Sequence, residues 1–355
     1  MDESINTAQI IANVLIPEEV DALPDKEVLG IEWPVELLSQ SEERVVLTAK
    51  AWGDLERPLF LVELAYRTTE RSTGNGSILF DLFGTEEQSL ASFALRVGGA
   101  EGYRVDQVVG DEVFIKAGVR SCSLAEYLTD YSPTVRFVDL CELEGNVLIR
   151  PQNPQELTIP DDRFEVWDWQ GIDITQESMW KNGSERRDSI QWHAAQQYMK
   201  GQFDIVFDDD SAGEAADLVC LKEEHDHIRL ALVHCKFSGG RTSGERVKDV
   251  VEVSSQAIRS AKWKWRFRDL IRHIVGRESR LYRPQRPSRF LVGRSADLNR
   301  FAKVSRFKEI RTEILIVQPG LSKSGRTAEQ NTVLASAFSY LKETIGIDLD
   351  VICSS

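Results

Sequence analysis

The alternation of apolar and polar positions is sharpest over residues 203–237, FDIVFDDDSAGEAADLVCLKEEHDHIRLALVHCKF. Three apolar runs, 203–207, 215–221 and 228–237, are separated by polar turns at 208–213 and 222–227, the pattern of a β-meander. Side chains on a strand alternate faces. Asp217 therefore shares a face with Val219 and Leu221, while His234 and Lys236 share one with Ile228, Leu230 and Leu232. An acid opening one strand and a lysine closing the next both fall among apolar neighbours. Desolvating an unpaired charge is costly, so this pair marks a candidate site.

Helical spacing predicts a helix on each side of the meander. Over 188–200, Ile190, Ala194 and Tyr198 recur at helical intervals, Asp188 and Gln191 form a capping-box-like start, and Gly201 is the stop. Over 246–264, Val247, Val250, Ser254, Ala257, Ile258 and Ala261 point one way, with Glu252 and Gln256 one turn apart on the flank. The chain then closes with a strand at 314–318, a helix over about 328–345 boxed by Thr327 and Gln330, and a strand at 347–353. Helix, meander, helix, strand, helix, strand describes an α/β layer.

Before this part the period is mostly two. An amphipathic segment (Ile10, Ile11, Val14, Leu15) ends at Pro17. Strand-like runs follow at 44–52, 59–66, 77–83, 91–97, 103–109, 112–116, 134–140 and 146–149, separated by Gly/Asn/Asp clusters. One short helix is expected at 123–129, with Ser123 as cap and Glu126 three residues on. This spacing suggests a β-sandwich or partly closed barrel, and it holds no catalytic constellation. Pro151, Pro154 and Pro160 mark a linker, after which Phe164, Val166, Trp167 and Trp169 read as a strand or an apolar plug. The expected fold is α+β: a strand-rich N-terminal domain over 1–150, a linker over 151–163, and an α/β domain over 164–355.

Composition narrows the class. The 355 residues are 42% hydrophobic and 28% charged, as in a soluble globular protein. No apolar run approaches the ~18 residues of a membrane span. The acidic N-terminus reads as no signal peptide, which gives a cytoplasmic expectation. Five widely spaced cysteines without a CxxC pair read as small core residues. The net charge of −14 argues against nucleic acid until its distribution is seen. Residues 1–160 carry 28 acids and 12 bases, whereas 262–311 carry 16 bases and 4 acids. Only the C-terminal part can face phosphate. There Lys262, Lys264, Arg266 and Arg268 are candidates for phosphate contacts, with Trp263 or Trp265 for base stacking. The same run also reads as a helix with its aromatics inward and its arginines solvated.

Helix, meander, helix, with Asp217 opening the second strand and His234-Cys235-Lys236 closing the third, resembles the PD-(D/E)xK restriction-endonuclease-like nuclease core over about residues 185–265. The resemblance implies a metal-dependent endonuclease acting on DNA, with acids holding Mg2+ or Mn2+ and Lys236 helping to orient or activate water. Mg2+ takes one or two carboxylates plus phosphate oxygens and water, and a metal with an ammonium stabilises charge developing on a phosphodiester. His234 departs from the pattern, because the family places an acid there. Three alternatives follow: His234 is itself a ligand and favours Mn2+; Glu214 or Glu252 supplies the missing carboxylate, with Gln256 alongside on the helix; or the core binds without cutting. GEAADLV, VHCKFSGG, RVKDVVEVSSQAIRSAKW and ILIVQPGLSKS also resemble the region after the motor domains of bacterial DEAD/DEAH-type helicases of defence loci. That likeness implies defence against phage or other foreign DNA and a helicase as a possible partner. The chain has no Walker A sequence and hence no motor of its own. His225 and His227, and the run Asp208-Asp209-Asp210, read as turn residues rather than metal ligands.

Overall fold

The computed structural model describes residues 15–38, 44–66, 76–84, 89–100, 102–151, 158–181, 183–211, 213–281 and 288–355. Ile10, Ile11 and Val14 of the expected amphipathic segment and residues 152–157 of the proline-rich linker lie outside these residues. The molecule is mixed α+β, with its strands in several sheets. No helix among the described residues is long and apolar enough to cross a membrane.

In the N-terminal part, Val62–Tyr66, Ile78–Gly84, Ser89–Val97 and Tyr103–Val109 form an antiparallel four-stranded sheet. A second sheet pairs Val45–Ala49 with Val113–Ala117. A third contains Thr134–Phe137 beside Val28–Glu32. Their inner faces meet in one core around Leu47, Phe80, Phe93, Ile115 and Phe137. The helix Leu124–Asp130 forms where expected, with Ser123 Oγ accepting the Glu126 N–H at 3.1 Å. The Val28–Glu32 strand had no clear signal in the sequence, and it packs against the rest of the protein. Its Val28 and Ile31 enter the N-terminal core and its Leu29 the C-terminal one. Gly30 lies so close to Ser255 that a Cβ there would sit 2.1 Å from the serine Oγ. A side chain at this position would force Ser255 to turn away, and glycine avoids that.

The C-terminal part is built on a seven-stranded sheet. Its order is Phe164–Val166, Leu349–Ser354, Glu309–Ser322, His227–Cys235, Leu218–Glu223, Ile205–Asp208, Phe290–Val292. The meander strands are antiparallel, and Glu309–Ser322 runs parallel to both His227–Cys235 and Leu349–Ser354. Period-two alternation divides the residues as expected. Val219, Leu221, Ile228, Leu230 and Leu232 pack with Val250, Val253 and Ala257 of the Lys248–Ser260 helix and with Val333 of the Ala328–Tyr340 helix. Leu218, Cys220, Ala231 and Val233 pack on the Ile190–Lys200 helix opposite. Thr327 and Gln330 make the expected capping box. Trp167 and Trp169, just past the edge strand, pack against His193, the first edge-on and the second tilted.

Two local expectations are corrected. The cap of the Ile190–Lys200 helix is Ser189, whose Oγ accepts the Trp192 N–H at 3.2 Å. Gln191 instead turns inward, accepting the Met179 N–H at 2.6 Å and donating to Asp208 Oδ1 at 2.9 Å. The second meander strand begins at Leu218 rather than 215, because Asp209 ties the preceding loop back on itself. Its carboxylate accepts the Ala215 N–H at 2.7 Å and its own N–H donates to Asp217 O at 3.0 Å.

Candidate active site

Asp217 stands directly before the second meander strand, opposite the end of the third. Its Oδ2 accepts the Cys235 N–H at 2.9 Å, which fixes the carboxylate beside His234 and Lys236. Both of those side chains lie on the sheet face covered by the Lys248–Ser260 helix: His234 Nε2 is 2.9 Å from Ser260 Oγ, and Lys236 Nζ is 2.9 Å from Glu252 Oε2. The tied-back loop brings Glu214 to the same place. Glu214, Asp217 and His234 each offer one ligand atom, and the three atoms lie within 4.8 Å of one another. Asp217 and His234 are 2% and 1% exposed, and Glu214 is half-buried.

Of the two acids weighed as the replacement carboxylate, only Glu214 joins this trio. Glu252 pairs with Lys236, as does Glu177, whose Oε2 lies 3.3 Å from Nζ. Glu177 was not singled out in the sequence. It sits on the loop ahead of the Ile190–Lys200 helix, and its Oε2 also accepts the Phe237 N–H at 2.9 Å. The only signal for it was an acid upstream of the first helix, which many chains have by chance. Gln256 Nε2 reaches Glu214 Oε1 at 3.5 Å.

These groups line a cleft of about 460 Å³. Glu177, Asp210, Glu214, Asp217, Lys236 and Glu252 contribute from the C-terminal part, and Glu63, Tyr66, Asp81 and Phe83 from the N-terminal strands. Arg259 links the two parts, with Nη1 donating to Leu64 O at 3.0 Å and Nη2 3.9 Å from Glu63. A smaller cavity of about 80 Å³ touches Glu214, His234, Ser260 and Trp263 from the other side.

Acidic residues outnumber basic ones in the cleft lining. Burial pushes the Asp217 carboxyl well above the usual range, and the nearby Asp210 and Glu177 push it further. Burial, then Asp217 and Asp210, raises Glu214 in the same way. Clustered carboxylates that hold each other's protons on are stabilised as anions by a cation placed among them. Lys236 behaves oppositely. Burial alone would lower its pKa, but Glu177 and Glu252 prevail and raise it. It is a fixed positive charge rather than a base. Burial, then the Arg259 charge, brings His234 down to about 3, so its ring is neutral at physiological pH.

The basic segment divides. Trp263, expected to be available for stacking, is 1% exposed and belongs to the core, while Trp265 is 74% exposed. The 3-10 turn Ala261–Lys264 that ends the long helix sets this phase, turning Trp263 inward and Trp265 out. Lys264 Nζ donates to Ile345 O at 2.6 Å, and Arg266 Nε to Asp269 Oδ2 at 3.0 Å. Lys262 lies over the Trp263 ring and lines the smaller cavity. Arg268 is exposed at the start of the Phe267–Leu281 helix. The sequence-predicted nucleic-acid residues therefore do not form one surface with Trp263. His227 opens the third meander strand, and His225 lies in the turn before it. Asp208 and Asp209 are not solvated turn residues but buried ones, 1% and 0% exposed.

No protein-family model, curated protein or solved structure matches this chain.

Proposed function

We propose that the protein is a metal-dependent nuclease of restriction-endonuclease-like architecture that hydrolyses phosphodiester bonds in DNA. The observation that carries this reading is the meeting of Glu214, Asp217 and His234 within 4.8 Å, beside a permanently charged lysine, with Glu214, Asp217 and Lys236 lining a cleft. The donor set fits a divalent ion such as Mg2+ or Mn2+. Burial raises the pKa of both carboxylates, Asp217 and Asp210 raising Glu214 further and Asp210 and Glu177 raising Asp217, and His234 Nδ1 is buried with no hydrogen-bond partner. Glu214, Asp217 and His234 would hold the ion, which when bound supplies Lewis-acid polarisation of the phosphodiester and a water more easily deprotonated. Lys236 serves a separate purpose. Its ammonium, steered by Glu177 and Glu252, faces the charge that develops on the phosphoryl oxygens. Gln256 braces Glu214. The order of elements around the site supports the same architecture, with the acid ahead of the second meander strand and the lysine just after the third. The proposed setting, defence against phage or other foreign DNA, rests on the resemblance to helicase-associated regions.

The test is incubation of plasmid and phage DNA with the protein in Mg2+ or Mn2+. Cleavage is expected; Asp217→Ala should abolish it and Lys236→Ala should reduce it by roughly 10²–10³-fold. If both variants cut like the parent, the site is elsewhere. No cleavage in either metal, together with a stable helicase partner in a pulldown, would replace catalysis by a binding role.

A further inference from the structure

We infer that Ser260 is a positioning residue that sets the metal preference of this site, fixing His234 as a ligand for a first-row transition ion in preference to Mg2+. The inference rests on the reading of Glu214, Asp217 and His234 as metal ligands and adds which ion they select and how. Ser260 Oγ lies 2.8 Å from Ala257 O, one turn back on its helix, and 2.9 Å from His234 Nε2. A hydroxyl has one proton to give. A carbonyl oxygen can only accept, so the serine proton goes to Ala257, and Oγ must accept from the ring. Nε2 therefore carries the imidazole proton, and Nδ1 keeps its lone pair. That Nδ1 is buried without a partner on a residue only 1% exposed, and His234 contributes one ring nitrogen to the cluster with the Glu214 and Asp217 oxygens; with Nε2 engaged by Ser260, Nδ1 is the nitrogen left to bind. A buried acceptor left unpaired is costly, and one neutral nitrogen beside two carboxylates is what a borderline ion accepts. Neutral imidazole suits transition ions, while Mg2+ prefers an all-oxygen shell. Ser260, itself 2% exposed, acts as the outer partner that orients a histidine ligand.

Calorimetric titration of the full chain with Mn2+ and with Mg2+, in the absence of nucleic acid, tests this. Mn2+ should bind about tenfold or more tightly than Mg2+. Ser260→Ala should lose about 10–100-fold in Mn2+ affinity while Mg2+ affinity stays near the parent's. His234→Asp should close the gap between the two ions. Ring-nitrogen NMR shifts of metal-free parent protein, which need no variant, should show Nε2 protonated and Nδ1 bare. Equal affinities for the two ions in the parent, a protonated Nδ1, or unchanged Mn2+ binding in Ser260→Ala would each overturn the inference. Cleavage is scored separately. Mg2+-supported cutting that Asp217→Ala abolishes, without any Mn2+ preference, keeps the nuclease reading and removes this one. A Mn2+ preference without cutting does the reverse.

Discussion

Two acidic sites share the loop between the first two meander strands, one around Asp209 and one around Glu214 and Asp217, and they are built in opposite ways. Asp209 is 0% exposed, with Arg277 Nε at 2.6 Å and His273 Nε2 at 2.8 Å. Burial alone would raise its pKa, but Arg277 and then His273 pull it well below the carboxylate range. Arg277 also holds the Asp209 carbonyl and reaches Ser211. At the other end of the loop, Glu214 and Asp217 face each other and Asp210, and their pKa values rise. The first group is charge-matched and closed, and it anchors the loop. The second is mismatched and lies beside a cleft. A carboxylate paired with its own cations anchors the chain, whereas clustered carboxylates with raised pKa values beside a cleft mark a candidate site.

Arg277→Ala tests this contrast most severely. It strands a buried Asp209 and should cost about 3–5 kcal/mol, read as a lower urea midpoint. Loss of no more than a surface substitution would show that Asp209 is not the anchor. Next is Lys236→Ala, which should reduce cleavage by roughly 10²–10³-fold with the fold intact by circular dichroism. Asp217→Asn, by contrast, should stabilise the metal-free protein while eliminating cutting, because it removes one of the mutually repelling charges. Thermal melts in chelator measure this, and a destabilised variant would mean that Asp217 is itself a structural partner.

The two groups also differ in their response to pH. Asp209 has a lower pKa folded than unfolded, so its contribution is fully present above the unfolded value of about 4 and is lost as pH falls toward the folded one. Denaturation midpoints from about pH 5 to pH 2 should therefore drop more steeply for the parent than for Arg277→Ala. The smallest effect concerns the basic segment. Arg268→Ala should weaken DNA binding evenly across sequences and reduce the salt slope by about one, measured by fluorescence anisotropy against ionic strength.

The meander was legible because period two survives in Ile228, Leu230 and Leu232 against Ala231 and Val233, and burial on both faces enforces it. The long helix was legible because Val250, Ser254, Ala257 and Ala261 keep a helical stripe. Asp217, His234 and Lys236 stood out because a polar residue on an apolar face is conspicuous. Glu177 and Ser260 were not legible. Each sits in a stretch whose local pattern is unremarkable, and each matters only through a side chain distant in the chain. Trp263 and Trp265 were indistinguishable in composition, and a change from α to 3-10 winding separated them.

The order of residues alone thus specifies most of the elements, their faces and the two charged positions that do not belong in a core. Those are consequences of local periodicity and of the cost of burying charge. Which acid lies beside Asp217 and His234, Glu214 rather than Glu252, depended on the folded chain. So did the holding of Lys236 as a cation by Glu177 and Glu252, and the freedom of His234 Nδ1 from hydrogen bonds. Those outcomes depend on distances of a few ångströms between groups far apart in the chain, and electrostatic and hydrogen-bond energies change sign or vanish over such distances.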